Sequence, residues 1–179
     1  MSTEEIELRK LQSKIAYLNG YLDALAIVSS YSIVGMQYRL FIYNREGGDC
    51  NQTIQRNAYD LFGVHPDEWH TELIPVNHWE ERIKEEIFAN FKRRIPHNPP
   101  EIAHEFHYEE NDMVQDLFDK IRSAVHYFIL CFKEEFDTGK MDVYELKVIH
   151  TSHYRIVGID LVFETSSGQV LVLQLLGND

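Results

Sequence analysis

The densest concentration of groups able to do chemistry lies between Ile95 and Asp119. This stretch holds seven acids, Glu101, Glu105, Glu109, Glu110, Asp112, Asp116 and Asp119, and no Lys or Arg. Carboxylates gathered without counter-charges make an electronegative surface. Such a surface attracts a basic partner and raises its association rate. The expected partner-binding set is Glu101, Glu105, Glu109, Glu110, Asp112 and Asp116. The ordinary alternative is a solvated face that serves solubility. His104 and His107 fall in the same stretch. On a helix, Glu101, His104 and Glu105 would share a face at spacings i, i+3 and i+4. Imidazole and carboxylate suit zinc or iron. Glu101, His104 and His107 are therefore the expected ligands if the chain holds a divalent metal, and a metal-dependent hydrolase is the alternative function. Tyr108 stands where a two-histidine metalloprotease motif needs its second His, so that motif is not present.

Other polar pairs read more plainly. His150 and His153 bracket an expected turn, and His65 and His70 flank Pro66 in an expected loop. Arg122 and His126, spaced i, i+4, belong at the edge of a helix's apolar face. Gly47-Gly48 has no following Lys, so no phosphate loop is present, and no zinc-finger cysteine spacing exists.

Asp160 lies in an otherwise aliphatic run. Gly158-Ile159-Asp160, a turn, and then Val172-Leu173-Gln174 resembles the core of metal-dependent nucleases of the restriction-enzyme type. The resemblance implies a metal held by Asp160 and Gln174 and a Lys two residues beyond, where this chain has Leu176. If Glu164 pairs with Gln169, Asp160 opposes Leu173 and Gln174 opposes Ile159. The two polar side chains then point to opposite faces, which disfavours that site. Asp160 would share a face with Ile156, Val162, Leu171 and Leu173. A carboxylate there must be paired, protonated or the mark of a pocket. Asp160 is thus the expected pocket residue of a third reading, a small-molecule-binding domain.

These groups need elements to hold them. Leu11, Ile15, Leu18, Leu22 and Leu25 form one stripe of a helix from about Thr3 to Ser29. Met36 to Tyr43 alternates as a strand. Asp49 and Gln52 make a capping box for a short helix that Gly63 ends. Further helices are expected over about His78 to Arg94 and Asn111 to Phe136. The second of these, with Val125, Phe128, Ile129 and Phe132, should be central. Strands around Tyr144 to Val148, Tyr154 to Phe163 and Gln169 to Leu176 predict a C-terminal antiparallel meander of three strands, with residues 36–43 as a possible fourth. Helices first and strands last predict an α+β fold.

With 179 residues, the chain fits one α+β domain over 1–179. Its net charge of −12 argues against general nucleic-acid binding and against anionic membrane surfaces. Met1 to Lys10 has no apolar signal core, and two cysteines do not make a disulfide framework. A cytoplasmic location is expected. Both sheet faces read as apolar, so the sheet is either sandwiched or self-associating, and a homodimer is plausible on that ground. The leading expectation is a small acidic binding protein of the inhibitor or immunity type that docks a basic protein, with no resident cofactor.

Overall fold

Residue periods set the element order. The computed structural model describes residues 3–29, 36–45, 47–63, 69–92, 110–150 and 157–177. Helix α1 spans Thr3–Ser29 and strand β1 spans Met36–Asn44. Two short helices follow, α2 over Cys50–Arg56 and α3 over Ala58–Phe62. Strand β2 covers Trp69–Pro75, α4 covers Trp79–Lys92, and α5 covers Glu110–Glu135. Strands β3 (Asp142–His150), β4 (Val157–Glu164) and β5 (Gln169–Gly177) complete the chain. The fold is α+β: three consecutive C-terminal strands and two strands set between the earlier helices form one antiparallel sheet.

That sheet has five strands in the order β1-β5-β4-β3-β2, all antiparallel. The unanticipated fifth strand, β2, is an edge strand that pairs only with β3 among the described residues. It ends at Pro75, which has no N–H to give a ladder and is tolerated at an edge. The expected strand from Tyr154 is described from Val157 onward.

Two apolar layers enclose the sheet. On one face α1, α4 and α5 pack Leu18, Leu22, Ile83, Ile87, Phe128 and Phe132 against Tyr38, Leu40, Leu161 and Leu173. Trp79 meets Phe163 edge-on, with ring centroids 5.2 Å apart. On the other face α2 and α3 pack Cys50, Ile54, Ala58, Leu61 and Phe62 on Leu146, Val162, Val170 and Val172. The two apolar faces are thus resolved as a sandwich, the first of the two expected arrangements. Capping fixes the thin layer. Asp49 accepts the Gln52 N–H at 2.7 Å, and Gly63 closes α3 at φ 66°.

The β4–β5 hairpin differs from the expected register by one residue. Glu164 pairs with Val170, not Gln169. The Thr165 N–H donates to the Gln169 carbonyl at 2.9 Å, and the Gly168 N–H donates to that of Thr165 at 3.1 Å. Gly168 takes φ 80°. This is a three-residue loop, a tight turn followed by a left-handed glycine. Thr165 and Gln169 therefore pair with each other, and every downstream assignment of faces inverts.

Candidate functional site

The register change puts Asp160 directly opposite Gln174 on one face. Arg39 of β1 pairs with Gln174 from the other side, so Arg39, Gln174 and Asp160 form one row across three strands. Asp160 and Gln174 are only 9% and 4% exposed. The Gln174 Nε2 donates to the Leu61 carbonyl at the end of α3, 3.2 Å away. Asp160 Oδ1 is buried without a hydrogen-bond partner among the described residues. Burial pushes the Asp160 carboxyl up to about 7, while a hydrogen bond from Gln174 pulls it back in part.

The predicted face of Asp160 is thereby corrected. Its row-mates are Val162 and Gln174, while Leu171 and Leu173 lie on the α1/α4/α5 face. The nuclease-like pair does share a face, contrary to the expected register. It offers one carboxylate, however, and Leu176 occupies the lysine position on the same strand. A Cβ on Gly158, two pairs along, would strike the Leu175 carbonyl oxygen, so β4 and β5 close tightly there. Among the described residues no group of three His, Cys, Asp or Glu side chains could hold a metal.

The acidic stretch is described only in part. Glu101, His104, Glu105, His107 and Glu109 lie outside the described residues. Glu110 and Asp112 open the described part of α5. Asp116 is exposed and meets Lys120 at 2.6 Å, and Asp119 meets Arg122 at 3.1 Å. Exposed helix pairs of this kind contribute about 0.3–0.5 kcal/mol.

A surface that sequence reasoning missed lies where α1 and α5 meet. Lys14 reaches Glu135 at 3.1 Å, the Tyr17 hydroxyl reaches Cys131 Sγ at 3.7 Å, and the Tyr21 and Phe128 rings are 6.4 Å apart. Numbers rise along one helix as they fall along the other, so the helices are antiparallel. Along this seam Tyr17 and Tyr127 are each 50% exposed and Leu130 is 42% exposed. The Tyr17 phenol is raised above its usual range, chiefly by its hydrogen bond with Cys131 and then by one with Tyr127. The outward side of α1 continues the surface with Ala16, Gly20, Ala24 and Ile27, none of them charged and all exposed. On α5, Asp116, Lys120, Ser123, Tyr127, Leu130 and Glu134 fall at alternating spacings of four and three, one outward stripe. The available signal was that Ala16, Tyr17, Gly20, Ala24 and Ile27 leave the outer side of the second half of α1 with Asp23 as its one charge, where a simple amphipathic helix has a polar back.

Two hollows are described elsewhere. One, of about 800 Å³, lies between α4 and α5 and is lined by Glu81, Lys84, Phe88, Arg122 and His126. It is where the structure places the Arg122/His126 pair. The other lies along α1 near Arg9 and Glu135. Both are on the α1/α4/α5 side of the sheet, away from Asp160. Among the described residues no helix is long and apolar enough to cross a membrane. Both cysteines are free and buried.

No protein-family model and no curated protein matches this chain. Two crystal structures of citrus MAF1 are similar to it. One, in space group P 31 2 1, covers 88% of this chain and 98% of its own, at 8% identity and a TM-score of 0.43. The other, in space group C 2 2 21, covers 88% and 99%, at 10% identity and a TM-score of 0.38.

Proposed function

We propose that this protein is a non-enzymatic binding protein that docks a basic protein partner on the outer face of the α1–α5 layer. The observation that carries the reading is the half-exposed seam of Tyr17, Tyr127 and Leu130. Tyrosine supplies large contact area with few rotatable bonds and a polar tip, which is why it is enriched at binding surfaces. The partner's charge follows from complementarity. Glu134 and Asp116 lie on the same outward stripe, where Asp116 is paired with Lys120, and the sequence leading into α5 is acidic from Glu101 to Asp112. A net charge of −12 attracts a cationic partner and repels an anionic one.

The test begins with the protein gently purified from its own host and weighed intact. The expected species is a heteromer. Deuterium uptake should then show protection confined to residues 13–27 and 116–134. The double variant Tyr127→Ser/Leu130→Ser should weaken the complex at least about tenfold, since buried aromatic anchors carry a disproportionate share of binding energy. Its melting temperature should stay close to that of the parent. Protection on another surface would overturn the proposal, as would a homodimer seated on this seam. A bare chain carrying stoichiometric zinc, lost in His104→Ala/His107→Ala, would replace it with the hydrolase reading and its ligands Glu101, His104 and His107.

A further inference from the structure

The pair beneath α3 has a consequence separate from partner docking. We propose that Asp160 is a proton-operated latch for the α2–α3 layer, which stays seated while the carboxyl is protonated and loosens when it ionises.

The geometry starts from the sheet. Asp160 faces the thin layer, not the thick one, because it shares register parity with Val162, which packs under α2 and α3. Its cross-strand neighbour Gln174 is the group that holds the end of α3, through the Leu61 carbonyl. The far end of the layer is tied separately, by the Thr71 hydroxyl donating to Asn51 Oδ1. One amide therefore stands between two acceptors, the helix-end carbonyl that it holds and the carboxyl directly across from it. A neutral acid needs little more than that. An ionised carboxylate needs several donors, and one of its oxygens has none among the described residues. Two ways exist to supply them: draw Gln174 away from Leu61, or lift the end of α3 and admit water. Both release α3. The layer is the weaker of the two, built from helices of seven and five residues. Local opening there costs less than global unfolding.

Other groups on this face are placed differently. Arg39 is exposed and stands one strand beyond Gln174, about 10 Å from Asp160 at ordinary strand spacing. From the helices, Arg56 and Asp60 are exposed. Glu164, further along β4, is paired with Arg45. Burial pushes the Cys50 thiol and the Tyr43 phenol each up to about 12, and raises the Tyr144 phenol, so these stay neutral as pH crosses 7. His150, at the end of β3, is the control for the experiment. With Asp160 shifted to about 7 by burial, its change of charge falls near neutral pH.

The experiment is amide deuterium exchange of the intact chain between pH 5.5 and 8.5, corrected for intrinsic rates. Protection over residues 50–63 should fall at least about tenfold across this range, while α5 keeps its protection. Asp160→Asn, which holds the neutral shape, should abolish the fall, and His150→Gln should leave it. The wild-type carboxyl carbon resonance of Asp160 gives a readout that needs no variant, and its midpoint should lie near 7. A midpoint in the ordinary carboxylate range overturns the latch. So does a pH-dependent loosening that persists in Asp160→Asn, disappears in His150→Gln, or spreads equally over the thick layer.

Discussion

Asp160 makes the sharpest residue-scale prediction, because its sign is fixed. Burial raises the folded-state carboxyl from the ordinary value of 3.8 to about 7, so folding favours the neutral acid. The stability this gives is fully present below the unfolded value and is lost as pH rises toward 7. The span corresponds to a ceiling of about 4 kcal/mol of preference for the protonated form. Local opening relieves part of it. Asp160→Asn should therefore be more stable than the parent at pH 8 by about 1–3 kcal/mol, and the difference should shrink toward zero at pH 4.5. Paired thermal melts at the two pH values check this, and only the difference between the proteins counts, because other acids titrate in both. An advantage for Asn of equal size at both pH values would show that Asp160 titrates alike in the folded and unfolded chain, so that burial does not raise it. Gln174→Leu should act in the opposite direction. It leaves the Leu61 carbonyl and the Asp160 carboxyl without their shared donor. Stranded buried acceptors of this kind cost about 1–3 kcal/mol.

At the scale of elements, the most exposed backbone problem is the open edge of β1, and α1 solves it with one side chain. Asn19 Nδ2 donates to the Leu40 carbonyl at 2.9 Å, and the Leu40 N–H donates to Asn19 Oδ1 at 2.7 Å. At Leu40 the amide stands in for the next strand and covers part of an edge that could otherwise template aggregation. Asn19→Leu should lower stability by about 1–3 kcal/mol in urea and bring a new tendency to self-associate on heating. Asn19 was invisible in the sequence because its partner is backbone, which has no residue signature. Elements with strong local signals were legible. The leucine stripe of α1, the Asp49 cap, the Gly63 stop and the aromatic face of α5 all stand where their periods put them. β2 was not, since Pro75 and a polar run disguise an edge strand whose partner is some 70 residues away in sequence. The hairpin register was missed for a different reason: a three-residue and a four-residue loop fit the same Thr165–Gly168 turn signal, yet they invert the faces. That single step separated Asp160 from Gln174 in the sequence reading. Gly168→Ala tests the loop itself. At φ 80° an L side chain is strained, so a loss of about 1 kcal/mol is expected by thermal melt.

The whole molecule is set by its charge. A net charge of −12 on 179 residues repels itself when compact. Many of the ion pairs among the described residues are exposed contacts within one helix, such as Asp116–Lys120 and Glu81–Lys84, and pairs of that kind contribute little. Added salt therefore removes more repulsion than attraction. Between about 0.01 M and about 1 M, the Debye length falls from about 30 Å to about 3 Å. The melting temperature of the free chain should rise over that range. The proposed complex with a basic partner should respond in the reverse sense, with the association rate falling several-fold as steering is screened and the dissociation rate changing less. The half-exposed tyrosines of the α1–α5 seam predict that a residue of affinity survives at high salt, since apolar burial is not screened. Stopped-flow association and thermal melts on one salt series read both responses. If salt destabilised the free chain, its surface pairs would outweigh its net charge. If salt left association untouched, the acids of α5 would be solubilising groups and the seam alone would carry recognition.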